Sequence, residues 1–197
     1  MNKRNIFEHI LYEIDIYFYS HERIKELLQI KSKNESTIQN EYNCLWDSFF
    51  IHLRNLLNFF KSTGRKDDLL CGDIFKDNIN TKQLKVSFTI EYEINDCYYL
   101  LNEDELETII HKSICHLSKT RNKQQIDING KIIKTGLEEL QKIAFSISHL
   151  FLKEKIYIFL CFLKNRDNIR QDYLNDYDEY KHLIDDFIDK IICFCLM

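Results

Sequence analysis

The sequence predicts a mainly α protein: a bundle of five or six helices with a small antiparallel β-hairpin insertion, in one domain of 197 residues. Three observations lead there. The chain has no proline and only four glycines, so it lacks the turn signals that punctuate a sandwich or barrel, and long helices are favoured. Apolar residues recur at helical spacing through most of its length. A single stretch, Val86 to Ile94, alternates apolar with polar residues as a strand does.

The stretch Asn43 to Lys61, NCLWDSFFIHLRNLLNFFK, is expected to be the central helix. At about 100° per residue, Leu45, Trp46, Phe49, Phe50, Leu53, Leu56, Leu57, Phe59 and Phe60 cover roughly half its circumference. Ser48, His52 and Asn55 form one polar stripe on the remaining arc, and Asp47, Arg54 and Asn58 form a second. A first helix is expected over residues 5–30, with Ile6, Ile10, Ile14, Tyr17 and Phe18 on one face and Leu27 and Leu28 further along. Lys31 to Thr37 supplies capping residues and a short connection, which implies antiparallel neighbours. Past the central helix, Gly64 is a candidate C-cap, and Leu69 to Phe75 reads as a small helical or irregular element.

Asn95-Asp96 turns the alternating stretch back through Cys97 to Leu100, which predicts a hairpin near 85–101. A second is expected near 125–133, around Asn129-Gly130, and the two could join into one small sheet. Between them Asp104 to Thr120 reads as a helix. Gly136 to Lys164 reads as a long helix with a possible break at Lys153 to Lys155, and a last helix runs from Asp176 to the end. Its final IICFCLM is apolar on most sides, which calls for burial in the core or in a partner, such as a second copy of the chain.

Composition bounds the function less tightly. A net charge of −4 argues against a globally basic nucleic-acid binder but leaves room for a local phosphate contact. Seven cysteines scattered through apolar segments, with no secretory signal, fit reduced thiols and a cytoplasmic location. The longest uncharged apolar run, Ile156 to Leu163, is far short of the roughly 20 residues that cross a bilayer, so no membrane partner is expected. No phosphate-binding glycine loop, nucleophile elbow or metalloprotease helix is present. Cofactors and metals are not expected. His111 with Cys115 is only a pair, Cys193 and Cys195 lie on the apolar tail, and Asp185 with Asp189 reads as a solvated face.

The candidate catalytic residues are His52 and Arg54 on the central helix with His116 and Arg121 in HKSICHLSKTR. On a regular helix His52 and Arg54 lie about 160° apart, and His116 and Arg121 about 140°. A site therefore needs one member from each helix. His52 with Ser48 and Asn55, facing His116 with Ser113 and Thr120, would form a polar pocket in which histidine serves as acid or base and arginine holds a phosphate. The competing reading makes both histidines satisfied bundle residues, with Arg121 paired to Asp67 or Asp68.

The phrase FFIHLRNLLNFF, then Asp67-Asp68, then HLSKTR from His116 to Arg121, resembles a family of small uncharacterised bacterial helical proteins that read roughly FLIHxRNLIDFF, DD and HLTxxR. It covers about residues 40 to 150. The chain departs from it with Asn58 in place of an acid and Ser118 in place of threonine. The resemblance implies a helical fold and marks His52, Arg54, Asn55, Asp67, Asp68, His116 and Arg121; the helix faces themselves add Ser48 and Thr120, and Ser48, Asn55, Asp67, Asp68 and Thr120 are the binding candidates. It implies no reaction. More distantly the pattern is similar to HEPN domains, helical bundles of bacterial defence and toxin systems, many of which cleave RNA with an Arg-x4-6-His motif. Arg4 to His9 satisfies that motif, at the amino terminus where the family carries it on a late helix. Two readings follow, a non-catalytic interaction module acting as a dimer or subunit, and a metal-independent ribonuclease or RNA-binding protein.

Overall fold

A computed structural model describes residues 5–29, 36–61, 68–86, 89–94, 97–102, 125–128, 131–134, 145 and 151–196. The protein is mainly helical, and among the described residues there are four α-helices: α1 (Ile6–Gln29), α2 (Ser36–Phe59), α3 (Lys153–Leu163) and α4 (Leu174–Leu196). The helices expected over Asp104 to Thr120 and in the first part of Gly136 to Lys164 lie outside the described residues.

The nine apolar residues of the wide arc, from Leu45 to Phe60, are all buried, while Ile51 on the opposite side is exposed. An apolar arc this wide needs cover from more than one side. On one side α1 supplies it, burying Phe7, Ile10, Leu11, Ile14, Tyr17, Phe18, Ile24 and Leu27. The two helices run antiparallel, as the descending order of their pairs shows: Arg23 with Glu41 at 2.8 Å, Ser20 with Ser48 at 3.2 Å, and Glu13 with Asn55 at 3.0 Å. Helix α2 begins at Ser36 and not at Asn43 as its apolar content suggests. The added turns pack Ile38 and Tyr42 against the core and bring Glu41 to Arg23.

At its amino end α1 is tied down twice by Asn5. The side-chain oxygen accepts from Phe7 N at 2.9 Å, which satisfies one of the otherwise unpaired first-turn donors. The side-chain amide donates to the Asp176 carbonyl at 3.0 Å, fastening α1 to the start of α4. Helix α4 buries Tyr177, Ile184, Ile188 and Ile191 at helical spacing, and the Tyr177 hydroxyl donates to the Leu163 carbonyl at 2.6 Å, clamping the end of α3. Helix α4 starts at Leu174, two residues earlier than Asp176.

Beyond α2 the chain makes a compact excursion of two 3₁₀ turns, Cys71–Asp73 and Thr81–Leu84. It returns where Val86 N donates to the Phe60 carbonyl at 2.9 Å, so Val86 closes this loop and the strand begins later. Midway, Phe75 forms an antiparallel bridge with Ile169, sealed by Lys76 N to Asn168 O at 2.8 Å and Arg170 N to Ile74 O at 2.9 Å. Phe159 of α3 lies edge-on to Phe59, Phe60 and Phe75, with ring centroids 5.2, 5.8 and 5.7 Å away. A π-type turn at 151–152 precedes α3, next to the charged Lys153 to Lys155 where a break is expected.

Strand β1 (Thr89–Ile94) pairs antiparallel with β2 (Cys97–Asn102), Ile94 opposite Cys97 and Thr89 opposite Asn102. Strand β3 (Gln125–Ile128) pairs with β4 (Lys131–Lys134). Among the described residues the ladders form two separate two-stranded sheets, not one joined sheet. Among the described residues no helix is long and apolar enough to cross a membrane. Cys44, Cys71 and Cys161 are free thiols, and burial pushes the Cys71 thiol up to about 12, which leaves it protonated and unreactive.

Candidate functional site

The polar stripe of α2 faces α1, and its members part company there. Ser48 is taken by the Ser20 hydroxyl. His52 and Asn55 converge on Glu13, one turn from Ile10 in the apolar stripe of α1. Glu13 Oε2 lies 2.7 Å from His52 Nδ1 and accepts from Asn55 Nδ2 at 3.0 Å. Both Glu13 and His52 are only 9% exposed, and the exposed Tyr12 ring lies edge-on to the imidazole with centroids 5.7 Å apart. The other Glu13 oxygen, Oε1, has His9 Nε2 at 3.8 Å, one helical turn back and 58% exposed at its side chain. One carboxylate thus stands between a buried and an exposed imidazole.

Burial pushes the Glu13 carboxyl up. Hydrogen bonds from His52 and Asn55, with the charges on His52 and His9, outweigh that penalty and put its carboxyl below the ordinary value of 4.5. The sign of the linkage follows. Because the folded value is the lower one, the ionised carboxylate stabilises the fold above pH 4.5, and acid removes this contribution as pH falls through the folded value. Comparing acid unfolding of the parent with Glu13→Gln is expected to show a parent advantage at pH 7 that shrinks below pH 4.5. An advantage that grows with acid would contradict this assignment.

A cleft of about 360 Å³ opens on this cluster, lined among others by His9, Glu13, Arg54, Asn55, Asn58 and Asp68. A neighbouring cleft of about 750 Å³ shares His9 and Leu69 with it and continues to Asp176, Glu179 and Tyr180 at the start of α4. The structure therefore brings Arg54, Asn55 and Asp68 to one cleft. It places His52 behind that cleft, in the helix seam, and Ser48 further along the same seam. Asp67, Ser113, His116, Thr120 and Arg121 lie outside the described residues. Among the described residues no group of three or more histidine, cysteine, aspartate or glutamate side chains is arranged to hold a metal ion.

Two members of the cluster escape a sequence-first reading. His9 enters there only through the Arg4 to His9 motif, and Glu13 does not enter at all. The signal for Glu13 is its position, a carboxylate at i+3 from Ile10 and i−4 from Tyr17, where a buried face has no use for a charge unless a partner waits across the seam. Comparison of the chain with known protein families, curated proteins and solved structures finds no match.

Proposed function

We propose that the chain is a non-catalytic helical interaction module, a dimer or a subunit of a bacterial cytosolic system, built as a bundle of five or six helices with a hairpin insertion. The observation that supports this reading is the commitment of His52. Its Nδ1 is held by Glu13 inside the α1–α2 seam, where an imidazole orders two helices and is poorly placed to meet a substrate. The partner surface we assign to the carboxyl-terminal helix, whose described part carries Leu183 at 44% exposure.

A second reading, an RNA-binding protein or a metal-independent ribonuclease similar to HEPN domains, is favoured by the accessible His9, which lines the same cleft as Arg54. Here His9 would exchange the proton of a ribose hydroxyl and Arg54 would hold the phosphate. Incubation of the protein with mixed cellular RNA tests both readings, beside His9→Ala, His52→Ala and His116→Ala variants whose folding is checked by circular dichroism. The expected result is no cleavage, with His52→Ala less stable than the parent. Cleavage abolished by any one of these changes in a folded variant would replace the first reading with the second.

A further inference from the structure

Among the described residues five large apolar side chains stand in solvent, and four of them fall on one outer face of the bundle. Tyr12 and Tyr19, 50% and 60% exposed, follow each other at i, i+7 along α1, with the half-buried Ile16 between them. Ile51 of α2 flanks them on one side, one turn from Ser48 and from Asn55, which bond to Ser20 and Glu13 of α1. Leu183 of α4 flanks them on the other, two turns before Lys190, whose ammonium meets Asp15 of α1 at 2.9 Å. The fifth, Leu28, sits about 160° around α1 from Tyr12 and belongs to another surface. Two tyrosines edged by aliphatic side chains have the composition of an interface core and not of a solvated face.

The charges beside this stripe decide what covers it. Asp15 is paired with Lys190, Arg23 with Glu26 and Glu41, and Lys25 with Glu22, all within the chain. A face made for a nucleic acid or a charged peptide would keep charges of one sign open toward it. In a twofold dimer each patch meets its own likeness, so an open charge near the axis would face its own sign. Neutralisation in place removes that cost and makes the face complementary to itself. The face also adjoins the α4 surface assigned above to a partner. We propose that the outer face of α1, with Ile51 and Leu183 at its sides, docks on the same face of a second copy of the chain, Tyr12, Ile16 and Tyr19 of each interdigitating about a twofold axis. The inference rests on the reading of the chain as an interaction module and names its partner.

Sedimentation velocity of the whole chain, over a range of about 1 to 100 μM, tests this. The expected result is a dimer, weakened at least about a hundredfold by Tyr12→Lys combined with Tyr19→Lys, a factor of ten for each lost aromatic anchor. Both positions are exposed, so the variant should keep the circular dichroism of the parent. Leu28→Lys, exposed but off the face, should leave the dimer intact. Because the bordering charges are neutralised within each chain, raising salt from about 0.05 to 0.5 M should change the dimer constant by less than about threefold. A parent that stays monomeric would overturn this inference and leave the subunit form of the module reading in place, since that reading falls to RNA cleavage. A dimer that survives the double tyrosine change, or one broken equally by Leu28→Lys, would also overturn it. So would a monomeric parent that binds a different protein through Tyr12 and Tyr19, which would give the face to that partner.

Discussion

Phe159→Ala is expected to lower the free energy of unfolding by about 3–5 kcal/mol, the usual range for truncating a buried phenylalanine. The ring is fully buried and meets three others edge-on: Phe59 and Phe60 at the end of α2, and Phe75 in the excursion that follows. Two of these neighbours are held by something else. Val86 binds the Phe60 carbonyl and Phe75 is bridged to Ile169. The rings around the vacated space therefore have little freedom to collapse into it, and the cavity persists. Denaturant unfolding should show a lower midpoint with an unchanged slope, the mark of lost stability in an unaltered fold. A loss below about 1.5 kcal/mol would mean that the site repacks and that α3 is held mainly by its other contacts.

Glu13→Ala is expected to cost about 2–4 kcal/mol, more than the removal of one side chain's contacts, because it strands two buried partners. His52 loses the acceptor at its Nδ1 and Asn55 loses the acceptor for its amide. His52→Ala should also destabilise, but the double variant should lose less than the sum of the two. Unfolding measurements on the cycle are expected to give a coupling of about 1–3 kcal/mol. Strict additivity would remove the Glu13–His52 pair as a feature that holds the seam.

Much of the helical architecture is written in local pattern. The nine residues of the apolar arc between Leu45 and Phe60, Ile51 not among them, are so dense that any helix bearing them has to be enclosed, and they are. The start of α2 is less legible, since STIQNEY is polar and what supports its helix is tertiary, Glu41 paired with Arg23 across the seam and Ile38 and Tyr42 packed against the core. Propensity sees neither. The stripe of Ser48, His52 and Asn55 is visible on a helical wheel, but which residue answers it depends on how α1 is rotated and shifted, and a wheel of α2 holds no such information. Glu13 became the partner of His52, while Arg54, placed about 160° from His52 on an ideal helix, reaches the same neighbourhood by lining the cleft beside Glu13. A candidate site drawn from one helix alone could name half of a pair and not the other half.

The Phe75 to Ile169 bridge has a consequence for how the protein is made. Helices α1 and α2 are sequence neighbours and are complete once the chain has passed Phe60, yet Phe59, Phe60 and Phe75 keep an aromatic face open until Phe159 and Ile169 are synthesised. At about 5–20 residues per second that interval lasts roughly 5–20 s on the ribosome. For that time the nascent chain presents a sticky aromatic surface, so the amino-terminal half should engage holding chaperones during translation, and release should coincide with the emergence of α3 and not with the end of α2.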